Sequence, residues 1–127
     1  MKPFLPLVVA LLSSQTARAE RIYCFFTEPF FNLTYNSDTN KLTHSSPGSA
    51  DKEGVAKVIF NKNGTILLTV IGVQGSLLVD TTKTGSDGMS DYIYPFEGIV
   101  NGNLYGGCET DHLKKKLSTK IGHSILK

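Results

Sequence analysis

The sequence predicts an all-β domain: a small antiparallel barrel or barrel-like sandwich of about seven to eight strands, closed by a disulfide and followed by a basic C-terminal tail. Three observations predict it. Short runs rich in β-branched and aromatic residues recur along the chain and are separated by turn signals. Asn63-Gly64 and Asn101-Gly102 each lie between two such runs, and Asn-Gly accepts the positive φ angles of a two-residue type I′ hairpin. Cys24 and Cys108, the only cysteines, bracket nearly all of the runs.

In chain order, the first predicted strand covers 22–26 and the second 31–35. In the second, Phe31, Leu33 and Tyr35 share one face while Asn32, Thr34 and Asn36 share the other, as in a half-buried antiparallel strand. Asp38-Thr39-Asn40 turns the chain into a third strand over 41–44. A polar loop, 45–54, with Ser46-Pro47-Gly48-Ser49, precedes strands at 55–60 and 65–71 joined through Asn63-Gly64. Residues 66–71 are nearly all apolar, which suits a strand covered on both sides or the most buried stave of a barrel. A strand at 76–80 and a long polar loop at 81–90 lead to 92–100, Asn101-Gly102 and a last strand at 104–108. Strands linked mainly by hairpins must hide their edges, and closure into a barrel does so.

The N-terminus reads as an export signal occupying residues 1–19. Lys2 is its positive end, 4–12 its apolar run, and Ala17-Arg18-Ala19 place small residues for cleavage before Glu20. The apolar run is shorter than the about 20 residues that a membrane-spanning helix needs. Arg21-Ile22-Tyr23 precede Cys24, a context that disfavours a lipid anchor. The expected product is periplasmic or secreted, with one β domain over 20–111, a basic tail over 112–127 and no transmembrane segment. Export makes a structural disulfide between the two cysteines the default; a metal site lacks closely spaced partners among His44, His112 and His123, and a free catalytic thiol has no neighbouring histidine.

Charge is unevenly spread. Residues 20–113 hold six Lys/Arg against 11 Asp/Glu, whereas the tail adds Lys114, Lys115, Lys116, Lys120 and Lys127. An acidic body argues against a nucleic-acid partner, whose binding surface would be a basic face of the fold. In the tail, Leu113, Leu117, Ile121 and Ile125 recur every four residues with lysines between them, the outline of a weak amphipathic helix. Ser118, Thr119 and Gly122 weaken it toward a frayed tail.

Two blocks carry a family resemblance: Phe26-Thr27-Glu28-Pro29-Phe30-Phe31-Asn32-Leu33, and Gly85 through Asp91 followed by Tyr94-Pro95 and Leu104 to Cys108. They resemble a group of small exported bacterial β-domains, many of them lipoproteins, that have no assigned biochemical function. The opening block resembles Gly-x-Glu-Pro-Phe-Trp-x-Leu, and the closing block resembles Cys-Ser-Asp-Gly-Met-Ser-Asp-x-x-Tyr-Pro and then Leu-x-Gly-Cys. The resemblance implies a cysteine where Gly85 stands, so the usual partner of the final cysteine is absent and Cys24 replaces it. Residues 36–84 match no motif of the group. In outline the chain is also similar to META-type domains and to periplasmic inhibitors of C-type lysozyme.

The candidate binding residues are Glu28, Pro29, Phe30, Ser86, Asp87, Gly88, Met89, Ser90, Asp91, Tyr94 and Pro95. Asp87 and Asp91, with Ser86 and Ser90 beside them, offer oxygens to a hard cation, but no bidentate glutamate follows at calcium-loop spacing. A turn whose side chains bond nearby amides is the better reading. Glu28 stands among Phe25, Phe26, Phe30 and Phe31 and, if buried, would need donors, for which the 86–91 amides are candidates. Alternatively Glu28, Asp87 and Asp91 form one acidic ligand cluster or the carboxylates of a hydrolase, though the chain has no tryptophan to stack a sugar. Tyr92, Tyr94, Phe96 and Tyr105 suit core and cross-strand pairs better than a binding face. No nucleophile elbow and no phosphate-cradling loop is present. The leading expectation is therefore a binding module without catalytic residues, metal or cofactor, recognising a periplasmic protein, a cell-wall component or a small ligand. The alternatives are a periplasmic lysozyme inhibitor, a metal-dependent or acid/base hydrolase, and a structural component tethered by its tail.

Overall fold

A computed structural model describes residues 20–71 and 73–117, and among them ten strands follow one another. They are β1 (Arg21–Thr27), β2 (Phe30–Asn36), β3 (Lys41–Ser45), β4 (Lys52–Phe60), β5 (Thr65–Val70), β6 (Leu77–Asp80), β7 (Tyr92–Ile93), β8 (Phe96–Val100), β9 (Leu104–Thr110) and β10 (Lys116–Leu117). Eight close a barrel in the order β1-β2-β3-β4-β5-β6-β8-β9, and every neighbouring pair is antiparallel. β7 and β10 form a separate two-stranded ribbon. The expected signal at 1–19 and the tail beyond Leu117 lie outside the described residues.

Alternation decides which side chains fill the barrel. Cys24 and Phe26 of β1 point inward with Phe31 and Leu33 of β2, Leu42 of β3, Ala56 of β4, Leu68 of β5, and Leu77 and Val79 of β6. Ile22, Tyr35, Val58, Ile66, Val70, Phe96, Val100 and Leu104 pack against this cluster. The barrel closes where β1 meets β9, and there Cys24 and Cys108 face each other and are joined by the disulfide, both 0 % exposed. Small residues make room for it. A Cβ on Gly98 would lie 2.6 Å from Cys108 Sγ, and one on Gly106 would meet the Phe25 carbonyl and lie 2.6 Å from the Phe26 ring.

Two turns show how local chemistry sets the register. At Asn101-Gly102 both residues are left-handed (φ 52° and 78°), and the Asn103 N–H bonds to the Val100 carbonyl at 3.1 Å as in a type I′ turn, but Val100 pairs with Leu104, so the loop holds three residues rather than the expected two. Asn63-Gly64 differs from expectation: only Gly64 is left-handed (φ 91°), and the turn opens at Asn61. The Gly64 N–H donates to the Asn61 carbonyl at 3.2 Å and the Asn61 N–H to the Thr65 carbonyl at 2.9 Å. Asn63 Oδ1 accepts from the Thr65 N–H and Oγ1 at 3.1 and 2.7 Å, so the asparagine acts through its side chain.

The run 92–100 is divided rather than continuous. Tyr94 leaves the barrel sheet to pair with Gly85 through two backbone hydrogen bonds of 3.0 and 2.9 Å, and Pro95 has no N–H to continue a ladder. Beyond β9 the chain turns back on the barrel. Asp111 accepts from the Arg21 N–H at 3.0 Å and from the Tyr23 hydroxyl at 2.9 Å, and β10 then pairs with β7. Residues 113–117 therefore form an outer strap with an extended end, not the start of a helix.

Candidate functional site

The two sequence blocks meet on the outside of the barrel. The connector between β6 and β8 runs along the outer wall of β1 and β9, where a Cβ on Gly88 (φ 85°) would lie 2.9 Å from Thr27 Oγ1. Tyr94, 2 % exposed, lies against Gly107 and its ring centroid is 5.6 Å from that of Phe25. Lys115 covers this aromatic patch, its Nζ 5.3, 5.0 and 5.6 Å from the ring centroids of Phe25, Tyr92 and Tyr94. Its backbone N–H donates to Glu109 Oε1 at 2.9 Å, which gives that 8 % exposed carboxylate a partner.

Asp87 organises the turn. Oδ1 accepts from the Met89 and Ser90 N–H groups at 2.9 and 2.8 Å, and Oδ2 accepts from Ser90 Oγ at 2.7 Å and Tyr94 Oη at 2.9 Å. Partial desolvation raises the carboxyl's pKa, but the hydrogen bonds from Ser90, Met89 and Tyr94 outweigh it and hold the group down at about 2. Burial, followed by the Asp87 hydrogen bond and charge, pushes Tyr94 up. Ser86 Oγ accepts from the Gly88 N–H at 3.0 Å. The oxygens of this turn are thus directed at its own donors.

Glu28 is exposed at the β1–β2 turn, next to a cis bond to Pro29, and among the described residues it makes no hydrogen bond to 86–91. The burial that would have demanded such donors is absent. Asp91 is exposed, and among the described residues no three His, Cys, Asp or Glu side chains gather as a metal would need. Glu28, Asp87 and Asp91 therefore do not form one ligand cluster. Phe30 is 49 % exposed beside Pro29, Met89 is 68 % exposed at the tip of the Asp87 turn, and Pro95 is half-buried where β8 begins.

A concave site lies elsewhere, inside one mouth of the barrel. A cavity of about 490 Å³ is lined at its base by Phe31, Leu33, Leu42, Leu68 and Leu77 and higher up by Val70, Val100 and Leu104. Its rim carries Pro29, His44, Lys52, Val73, Gln74, Ser76 and Asn101. Cys24, Phe26, Ala56, Val79 and Cys108 are buried but do not line it; they fill the rest of the barrel. Asn101 Oδ1 accepts from the Ser76 N–H at 2.9 Å, pinning one side of the rim. Opposite it, the His44 ring stacks on Phe31, centroids 4.9 Å apart.

Comparison with family models, with curated proteins and with solved structures finds no match in any of the three.

Of the candidate residues, only Pro29 borders the cavity. His44, weighed from the sequence only as a metal ligand, and Lys52, not weighed at all, stand on the rim. His44 had a usable signal: it follows Leu42 at the two-residue period of an inward face. Lys52 had none within its own segment, since it stands in a run that reads as polar loop until its pairing with β3 is known.

Proposed function

We propose that this chain is an exported binding protein rather than an enzyme, and that it holds a small, largely apolar ligand in the mouth of its barrel. The observation that carries this reading is the 490 Å³ cavity with an apolar wall and a polar rim, a size and lining typical of small-molecule sites. The buried Cys24–Cys108 disulfide supports an oxidising compartment, periplasmic or extracellular. Asp87 spends its oxygens on its own turn, which supports an architectural rather than catalytic use of the polar block.

Titration with the neutral fluorophore N-phenyl-1-naphthylamine tests the reading. The native protein is expected to enhance its emission saturably, and Leu104→Trp, which fills the mouth, is expected to abolish the enhancement. No enhancement with native protein, or undiminished enhancement with Leu104→Trp, overturns it.

A further inference from the structure

Resting on that reading, we infer that the ligand is a single-chain carboxylate amphiphile, its alkyl chain in the barrel mouth and its carboxylate held at the rim by Lys52 and His44. These residues are directly opposed on β3 and β4 (Cα partners), so both side chains leave the sheet on the same face, and both line the opening. Lys52 is exposed, and among the described residues neither side chain has an ion-pair partner, except that the His44 ring stacks on Phe31. An ammonium offers three donors, and an imidazole offers an N–H in either protonation state, so the pair suits an oxyanion.

The acidic groups nearby do not cancel this. Glu53 borders the opening, but its carboxylate is paired with Lys41 at 3.5 Å, and Glu28 and Asp51 do not line the cavity. The remaining rim side chains are uncharged: Gln74, Ser76 and Asn101. The opening thus presents one ammonium and one ring donor on one side above walls that offer an alkyl chain only Leu, Val and Phe contacts.

Size limits the chain. At roughly 30 Å³ per heavy atom, water's own share of liquid volume, the about twelve heavy atoms of decanoate occupy roughly 360 Å³. That fits the 490 Å³ available and leaves the head at the rim.

Displacement of N-phenyl-1-naphthylamine by decanoate and by decan-1-ol, both below their aggregation limits, separates head from chain. Native protein is expected to bind decanoate roughly fivefold more tightly than decan-1-ol, the scale of one exposed charge-assisted contact. Lys52→Gln should remove most of that preference while leaving decan-1-ol unchanged, and Lys52→Glu should reverse it. Lys62→Gln, an exposed lysine that does not line the cavity, should change nothing. Equal displacement by acid and alcohol, or a preference that survives in Lys52→Gln, overturns the carboxylate assignment and leaves the cavity reading standing. Fluorophore binding that neither amphiphile displaces also overturns the assignment, and absence of fluorophore binding overturns both.

Discussion

The Tyr94 hydroxyl donates to Asp87 Oδ2 across 2.9 Å, joining a polar turn to one of the most buried rings of the chain. The bond explains why a segment so rich in serine and aspartate packs on a barrel wall. Asp87 satisfies the turn's amides with one oxygen and anchors the turn to Tyr94 and Ser90 with the other. Tyr94 in turn rests on the bare backbone of Gly107. The polar block is an outer buttress of the β1–β9 seam, the same seam that the disulfide crosses on the inside.

Acid should weaken this buttress in a defined window. Hydrogen bonds from Ser90, Met89 and Tyr94 hold Asp87 down at about 2 in the folded state, below an aspartate's ordinary range, so folding favours the ionised carboxylate. Its contribution is complete above about pH 4 and is lost as the pH falls toward about 2. Allowing for solvent screening of a partly exposed group, the loss is roughly 1 kcal/mol. Urea melts of native protein and Asp87→Asn check this: the native protein should be more stable at pH 6, and most of the gap should be gone at pH 2. Hydrogen bonds hold Asp80 and Asp111 down as well, through Thr82 and Tyr23 respectively, so only the difference between the two proteins isolates Asp87.

Removing the contact from the other side should cost more. A Cβ on Gly107 would run into the Tyr94 ring, so Gly107→Ala must displace the ring or the strand, an overpacking change typically costing about 1–3 kcal/mol. Tyr94→Phe keeps the ring and loses the hydroxyl, and the expected cost is about 1–2 kcal/mol. Denaturant midpoints measure both, and a neutral Gly107→Ala would show that Tyr94 does not need the glycine.

The disulfide should dominate stability. Cys24 and Cys108 are 84 residues apart, and the chain-entropy model gives about 4–5 kcal/mol for closing a loop of that size. Cys24→Ser with Cys108→Ser should lower the urea midpoint accordingly. Both sulfurs are buried, so reductants should reach them in the native protein only as fast as it opens.

The barrel was legible because its cues are local. Alternation in Phe31-Asn32-Leu33-Thr34-Tyr35, the Asn101-Gly102 turn and the paired cysteines each act within one strand or hairpin or through the only thiol partner available. The mouth was not. β4 begins at Lys52, three residues before the run that its hydrophobicity marks, because pairing with β3 extends it through Lys52, Glu53 and Gly54. Gly54 itself is poor strand material, and a Cβ there would collide with Val70. The Ser86–Asp91 block could be read as a turn from its Asp-Gly pair, but not its seat on Thr27 or its link through Tyr94 to Gly107, which only barrel closure brings near.

A ligand seated in the mouth should stabilise the whole barrel. One that binds only the folded state adds about 2.7 kcal/mol at a hundredfold excess over its Kd. In a domain of about 100 residues each kcal/mol moves Tm by about 4–8 °C, so saturating decanoate should raise Tm by roughly 10 °C or more. Leu104 is half-buried against the core and lines the cavity, so Leu104→Trp places an indole where the chain would lie. That variant should fold and show no shift with decanoate. Met89→Asp, which alters an exposed side chain that does not line the cavity, should retain the full shift. Differential scanning fluorimetry of the three proteins tells the sites apart: a shift kept by Leu104→Trp and lost by Met89→Asp would move the binding site from the barrel mouth to the Asp87 turn.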